Sequence, residues 1–275
     1  MGNEKKGMDE MNVKRSDRPI GVLDSGVGGL TVVQSLKELL PEEDLLYFGD
    51  SANCPYGNRT KENILELMNN ILDFMEERQV KAIAVACNTL STLYDEYAPA
   101  RHTPIFSIVQ AAANDVARRN LKEVGLVCTE FTANSGLYEK LIDEQCPGLP
   151  VYTASNHNLA STLDQGRFAE VPDNVRANMQ RLFAKGHPDY VILGCTHYPI
   201  VKDEFEKAAP GVTFLNPAHA QAEDIKHWLA ENGLLRQDHR GSLEVVTSGE
   251  PHFYREMCLR LGIGEPDLLE QKSLP

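Results

Sequence analysis

The chain has 275 residues, and its 27 Lys and Arg against 40 Asp and Glu give a net charge of −13. This acidic balance argues against binding to a nucleic-acid backbone or an anionic membrane surface, because both interactions need basic residues. No apolar run reaches the roughly 18 residues of a membrane span. Residues 1–18 are polar and lack the apolar segment of a signal peptide. We therefore expect a cytoplasmic protein with reduced thiols.

Strands and helices are predicted to alternate along the chain. Apolar runs rich in β-branched residues predict strands at 19–24, 44–49, 82–86, 104–109, 123–128, 150–153, 190–193, 213–215 and 243–247. Amphipathic spacing predicts helices at 30–40, 60–78, 111–120, 134–145, 173–185, 218–232 and 252–261. This alternation is typical of α/β proteins with mostly parallel sheets flanked by helices. Ligands of such sheets bind beyond the carboxyl ends of the strands.

One short pattern occurs twice. Residues 81–89 (KAIAVACNT) and 189–197 (DYVILGCTH) each contain an apolar strand, a small residue, a cysteine and two polar residues. The repeat predicts two similar lobes, each with a cysteine at the end of a strand. Two unrelated buried cysteines are the alternative interpretation, because Cys is often buried.

Cys87 and Cys195 are the candidate chemical groups. A thiol at a strand end just before a helix can have a lowered pKa, and His197 lies close enough in sequence to assist Cys195. A Cys–His pair alone would suit a thiol hydrolase, but this leaves the second cysteine unexplained. Two equivalent acid/base groups facing one cleft suit removal of a proton from one face of a carbon and its delivery to the other. That task is stereoinversion.

A glycine-rich turn, DSGVGG at 24–29, follows the first predicted strand. It does not match the dinucleotide fingerprint G-x-G-x-x-G, because Thr31 stands where the last glycine is needed. We favour a cradle for a carboxylate, built from Ser25 and backbone amides, with Asp24 placed to orient or activate a thiol. A plain turn with a capping Asp or Ser is the alternative.

The other polar motifs are less informative on their own. The turn at 55–57 is a common one, and Thr132 can either cap a helix or bind a ligand. The histidines other than His197 show no metal-ligand spacing, so no metal site is expected. Those histidines are predicted to be surface or capping residues. The cysteines predicted to be inert are Cys54, Cys128, Cys146 and Cys258.

Taken together, the motifs resemble those of glutamate racemases in the aspartate/glutamate racemase family. The resemblance covers residues 19–262. It is carried by IGVLDSGVGGLTV at 20–32, YFGDS at 47–51, PYG at 55–57, ACNT at 86–89, TEFTANS at 129–135, GCTHYP at 194–199 and TSGEPHF at 247–253.

The resemblance implies cofactor-independent interconversion of L- and D-glutamate, which supplies D-glutamate for peptidoglycan, at an active site between two α/β lobes. It implies Cys87 and Cys195 as the two acid/base residues, with Asp24 assisting the first and His197 the second. The implied substrate-binding residues are Asp24, Ser25, Tyr56, Gly57, Asn88, Thr89, Thr132, Thr196 and His197. Glutamate is the implied small-molecule partner, with no metal and no cofactor.

One departure leaves alternatives open. Members of the family usually carry a Val–Glu pair in the segment corresponding to 151–158, and this chain has no acid there. A racemase for another amino acid, such as aspartate, is therefore the second hypothesis. A non-catalytic, regulatory homologue is the third, although binding alone does not need two thiols.

The predicted domain organisation has three parts. Residues 1–18 form a flexible arm, residues 19–110 plus 219–265 form the first lobe, and residues 111–218 form the second. The chain is thus expected to cross back into the first lobe near its end. The sequence leaves the oligomeric state open, with a symmetric homodimer as the common default.

Overall fold

Two parallel sheets organise the protein in the computed structural model, which describes residues 14–56 and 59–275. The first sheet has the strand order β10-β9-β2-β1-β3-β4. Its strands are β1 (Ile20–Asp24), β2 (Leu45–Gly49), β3 (Ala82–Val85), β4 (Ile105–Ser107), β9 (Leu243–Thr247) and β10 (Leu268–Gln271). The second sheet has the order β6-β5-β7-β8. Its strands are β5 (Val124–Cys128), β6 (Val151–Ser155), β7 (Tyr190–Gly194) and β8 (Thr213–Leu215).

Helices pack around both sheets. In chain order they are α1 (Leu30–Leu39), α2 (Lys61–Glu77), α3 (Asn88–Ser91), α4 (Tyr94–Tyr97), α5 (Ile108–Arg119), α6 (Glu130–Ser135), α7 (Leu137–Gln145), α8 (Leu159–Asp164), α9 (Val171–Phe183), α10 (Lys202–Ala208), α11 (Pro217–Glu231) and α12 (Pro251–Arg260). The expected α/β class with two similar lobes is confirmed. None of the helices in the described segments is both long and apolar enough to cross a membrane.

Local sequence signals explain where the long helices begin and end. The Thr60 side chain accepts a hydrogen bond from the amide of Asn63 and caps α2, and Ser107 caps α5 in the same way. Helix α5 ends at Asn120, which has the left-handed conformation common at helix ends. These capping residues are polar positions that sequence patterns can locate.

Several elements differ from the prediction. The strand expected at 104–109 is only Ile105–Ser107, because the Ser107 cap starts α5 earlier. The helix expected at 134–145 is divided into α6 and α7 at Gly136, whose φ of +64° breaks the helical path. The short helices α3, α4, α8 and α10 were not predicted, because they are too brief to show amphipathic periodicity.

Two helices connect the sheets. The chain leaves the first sheet after β4 through α5 and returns after β8 through α11, and these helices pack against each other. Asn114 of α5 donates to Asp224 of α11 at 2.9 Å. Buried apolar residues from both sheets, such as Val22 and Leu126, belong to one continuous core around these helices. After α11 the chain adds β9 and β10 to the first sheet, and β10 lies beyond residue 265.

The predicted arm lies mostly outside the described residues. Residues 1–13 are not described, and residues 15–17 form a single 3₁₀ turn before β1. The proposed lobe boundaries therefore remain predictions, with the two sheets as their structural counterparts.

Candidate active site

The carboxyl ends of the strands in both sheets face a shared cavity of about 180 Å³. Predicted residues on its wall are Ser25, Tyr56, Cys87, Asn88, Thr89, Cys195, Thr196 and His197. The two candidate thiols therefore reach one cavity from different lobes. Such a volume suits a small metabolite better than a larger ligand, whose pockets usually span roughly 300–1,000 Å³.

Three other predicted residues have different placements. Asp24 is fully buried directly behind the wall, where Thr196 contacts it. Thr132 does not line the cavity, because its hydroxyl is buried and bonded to Thr129, which does line it. Gly57 lies outside the described residues.

Cys87 follows β3 and is the residue just before α3. Its buried thiol donates to the Ser25 hydroxyl at 3.5 Å. Burial, followed by the negative charge of Asp24, raises the pKa of the Cys87 thiol to about 12. Cys87 is therefore a protonated thiol at neutral pH, which is the state of a proton donor.

Asp24 lies at the end of β1 and holds the glycine-rich turn. Its Oδ2 accepts the amides of Gly26 and Gly29, each at 3.1 Å, and its Oδ1 accepts the Thr196 hydroxyl at 3.3 Å. The turn was expected to offer such amides to a substrate carboxylate. That expectation is wrong for these two, because the Asp24 side chain already occupies them.

The pKa of Asp24 is raised to about 6. Burial is the main cause, and the positive charge of His197 and the two amide hydrogen bonds oppose it. At neutral pH the group is a carboxylate that takes up a proton under mildly acidic conditions. It thus has the properties of a modest base beside Cys87.

Gly28 is needed for the close approach of the two lobes. A Cβ atom at this position would overlap the Thr196 hydroxyl and lie 2.8 Å from His197 Nδ1. The glycine in this turn therefore makes room for the second lobe. Sequence reasoning assigned the turn to anion binding, because a contact between lobes leaves no local signal.

Cys195 follows β7 and lies next to His197. Its sulfur is 3.8 Å from His197 Nδ1, and His197 Nε2 is 2.7 Å from Oδ1 of Asp164. Asp164 is the last residue of α8 and was not predicted. The acid absent from 151–158 is thus supplied six residues later in the sequence. A wider search for acids would have identified Asp164 as a candidate.

The His197–Asp164 pair is mostly buried, with side-chain exposures of 4% and 23%. Burial lowers the pKa of His197, but the Asp164 carboxylate outweighs burial and holds that pKa well above its ordinary value. The same pairing lowers the pKa of Asp164 against the effect of burial. A protonated imidazole donates from both nitrogens, so it can bind Asp164 and the Cys195 sulfur together. His197 is thus placed to donate a hydrogen bond to the Cys195 sulfur.

Asn88 carries the clearest unsatisfied donor on the wall. Its Oδ1 accepts the Tyr138 hydroxyl at 2.6 Å, whereas its buried Nδ2 has no partner among the described residues. A buried donor without a partner is costly unless a ligand satisfies it. This feature supports the predicted role of Asn88 in holding a substrate oxygen.

Tyr56 is fixed by a network that sequence reasoning missed. Its hydroxyl donates to Asp50 Oδ2, and Asp50 Oδ1 accepts the Ser248 hydroxyl at 2.6 Å. The network links the loop after β2 to the end of β9. Asp50 and Ser248 both follow strands, which was the available signal for their importance.

Two residues predicted to be inert or superficial also line the cavity. Cys54 contacts Asp164, with 3.5 Å between Sγ and Oδ2, and His157 forms part of the wall beside Glu130. Cys128, Cys146 and Cys258 are absent from the described part of the wall. The prediction that Cys54 has no partner is therefore wrong.

A larger cavity of about 450 Å³ lies beside Ser91 and Thr92, at the end of α3. Its wall includes Tyr94, Phe106 and Trp228, and no cysteine is present among its described lining residues. The chemistry thus selects the smaller cavity. No group of three or more His, Cys, Asp or Glu in the described ranges is arranged to hold a metal ion.

Comparisons with known proteins agree with this geometry. Residues 20–225 match the family model described as Asp/Glu/hydantoin racemase. The chain is 36% identical over 258 residues to a glutamate racemase of Thermus thermophilus, covering 91% of this chain and 95% of that one. A Bacillus anthracis glutamate racemase structure superposes with a TM-score of 0.87 at 29% identity, covering 94% and 99%. A Francisella tularensis glutamate racemase in complex with D-glutamate gives 0.85 at 31% identity, covering 94% and 98%.

Proposed function

The chain belongs to the Asp/Glu/hydantoin racemase family, and on that premise we propose that it interconverts L- and D-glutamate by proton transfer at Cα. The observation that carries this proposal is the pair of thiols, Cys87 and Cys195, which reach one small cavity from opposite lobes. The reaction needs no cofactor, because one group removes the α-hydrogen and the other delivers a proton to the opposite face. Its product supplies D-glutamate for peptidoglycan.

The two thiols have unlike surroundings at rest. Cys195 lies beside the protonated imidazole of His197, whereas burial and the charge of Asp24 hold Cys87 as a thiol. We assign Cys195 as the base and Cys87 as the acid in one direction of the reaction. In the other direction the roles exchange, with Asp24 accepting the proton that Cys87 must lose.

The α-hydrogen of an amino acid is a very weak acid, so the carbanion-like charge needs fixed donors in a site that excludes water. We assign substrate binding to Ser25, Asn88, Thr89 and Thr196 on the wall, with the ring of Tyr56 shaping it. The net charge of −13 gives no general attraction for glutamate. Local hydroxyls and amides therefore hold the substrate carboxylates.

The predicted roles of Gly57 and Thr132 stay predictions, since the first residue is not described and the second is bonded to Thr129. A cytoplasmic location and a symmetric homodimer likewise stay predictions.

Racemisation of aspartate is the second candidate function, motivated by the missing acid at 151–158. Asp164 weakens that motive, because it provides the carboxylate beside His197. The purified protein should racemise glutamate, as followed by loss of optical rotation, and turn over aspartate far more slowly. Faster turnover of aspartate would reverse this order, and inactivity towards both would favour a regulatory homologue.

A further inference from the structure

We propose that Cys54 is a positioning residue whose thiol, on the first lobe, holds Asp164 of the second lobe against His197. This proposal rests on the proposed racemase function and concerns the Cys195 side of the same site. The support that His197 gives to Cys195 would then depend on contact between the two lobes.

The hydrogen bonds of Asp164 carry the proposal. Its Oδ1 is 2.7 Å from His197 Nε2, and its Oδ2 accepts the Cys54 thiol at 3.5 Å. These are the two side-chain hydrogen bonds of that carboxylate within the described segments. The imidazole and the thiol thus each fix one oxygen, which sets the rotation of the carboxylate.

The state of Cys54 suits donation. Burial and the nearby charge of Asp164 raise the pKa of the Cys54 thiol well above its ordinary value. A thiolate here would repel the carboxylate, whereas a thiol donates to it. Cys54 therefore acts as a hydrogen-bond donor, unlike the two thiols that exchange protons with the substrate.

The backbone around Cys54 is itself held in place. The side chain of Arg59 donates to the carbonyl of Asn53 at 2.7 Å and to its side-chain oxygen at 3.2 Å. Tyr56, two residues after Cys54, is bound to Asp50. The thiol therefore extends from a loop anchored on the first lobe.

The segment that carries Asp164 is anchored at both ends. Asn156 Oδ1 accepts the amides of Asn158 and Leu159 at the start of α8. Beyond α8, the guanidinium of Arg260, from α12 beside the first sheet, lies 4.1 Å from the ring centroid of Phe168. Cys54 contacts this segment at Asp164, the residue that is hydrogen-bonded to His197.

The test compares Cys54→Ala, which removes the donor, with Cys54→Ser, which keeps one. Cys146→Ala serves as the matched control, because Cys146 lies outside the described wall of the cavity. The equilibrium constant of racemisation is 1, so kcat/KM must be equal for both enantiomers in any variant. Primary isotope effects with α-deuterated L- and D-glutamate separate the two faces instead.

We expect Cys54→Ala to lower kcat/KM about tenfold, since a hydrogen bond to a charged group is lost. Its isotope effect should rise for the enantiomer deprotonated by Cys195 and fall for the other, because delivery of a proton by Cys195 then limits that direction. Cys54→Ser should recover most of the loss. In an Asp164→Asn background, Cys54→Ala should add little, because its partner is already changed.

Three results would overturn the proposal. Kinetics of Cys54→Ala equal to those of Cys146→Ala would remove any role for the thiol. Equal impairment of the Ala and Ser variants, or additivity with Asp164→Asn, would show lost packing alone. Failure of the wild-type chain to racemise glutamate is a separate outcome, because it overturns the proposed function before any variant is compared.

Discussion

Asp24 of the first lobe accepts a hydrogen bond from Thr196 of the second, with 3.3 Å between Oδ1 and Oγ1. Asp24 is the last residue of β1 and Thr196 follows β7, so this bond joins the carboxyl ends of strands from the two sheets. It lies directly behind the cavity that holds both thiols. The contact that joins the two lobes therefore also fixes the carboxylate that assists Cys87.

The raised pKa of Asp24 predicts an acid limit to activity. Below a pH of about 6 the carboxylate takes up a proton and can no longer assist Cys87. We expect kcat/KM to fall about tenfold per pH unit below that value, since kcat/KM reports ionisation of the free enzyme. A profile of the wild type and of Asp24→Asn between pH 5 and 8 measures this. The variant should lose about 100-fold in kcat, and an unchanged acid limb in it would assign the limb to another group.

The ionised carboxylate of Asp24 supports activity but lowers the stability of the folded protein. Its pKa is higher in the folded protein than the ordinary 3.8, so the folded state binds the proton more tightly and stability falls as pH rises from about 4 to 6. Asp24→Asn should therefore raise the unfolding free energy at pH 7 by on the order of 2 kcal/mol. The gain should vanish near pH 4. Denaturant unfolding at both pH values measures it, and a loss of stability at pH 7 would contradict the account.

Positions that depend on a single strand could be predicted from the sequence. Cys87 and Cys195 follow apolar strands of different sheets, and ligands of parallel sheets bind beyond such strand ends. The roles of Asp164 and Cys54 were not predicted, because these two residues lie far apart in the sequence and meet only where the lobes are in contact. The glycine-rich turn was located correctly. Its predicted reason was anion binding, whereas Gly28 makes room for Thr196 and His197 of the other lobe.

Asp164→Asn should change the charge of His197. Without the carboxylate, burial dominates and the pKa of His197 falls, so the imidazole becomes neutral at pH 8. Racemisation should fall about 100-fold, because a neutral imidazole stabilises a thiolate poorly. Heteronuclear NMR of the imidazole nitrogens follows the protonation directly. A protonated His197 at pH 8 in the variant would show that another group sustains the charge.

Gly28→Ala should separate the lobes. Its new Cβ would overlap the Thr196 hydroxyl and lie 2.8 Å from His197 Nδ1, so one of the two lobes must shift. We expect a loss of about 100-fold in kcat/KM, since a displacement of about 1 Å at an active site has effects of this size. Gly26→Ala is the milder comparison, because its Cβ would lie 3.3 Å from Asp164 Oδ1. Equal activity of Gly28→Ala and the wild type would disprove the close approach.

Asn88→Ala should weaken substrate binding. It removes the buried Nδ2 that has no protein partner in the described chain. We expect KM to rise about tenfold, and Tyr138→Phe, which frees the Asn88 side chain to rotate, to cause a smaller rise. Steady-state kinetics with glutamate distinguish the two effects. A fall in kcat at constant KM would place Asn88 outside the binding contacts.

The most direct test of the two-thiol account is exchange of the α-hydrogen in deuterated water, followed by NMR for each enantiomer of glutamate. The account predicts that the wild type incorporates deuterium at Cα from both enantiomers. Cys87→Ala and Cys195→Ala should each abolish racemisation. Any exchange that remains should involve one enantiomer in Cys87→Ala and the other enantiomer in Cys195→Ala. Racemisation at the wild-type rate in the double variant would contradict the account.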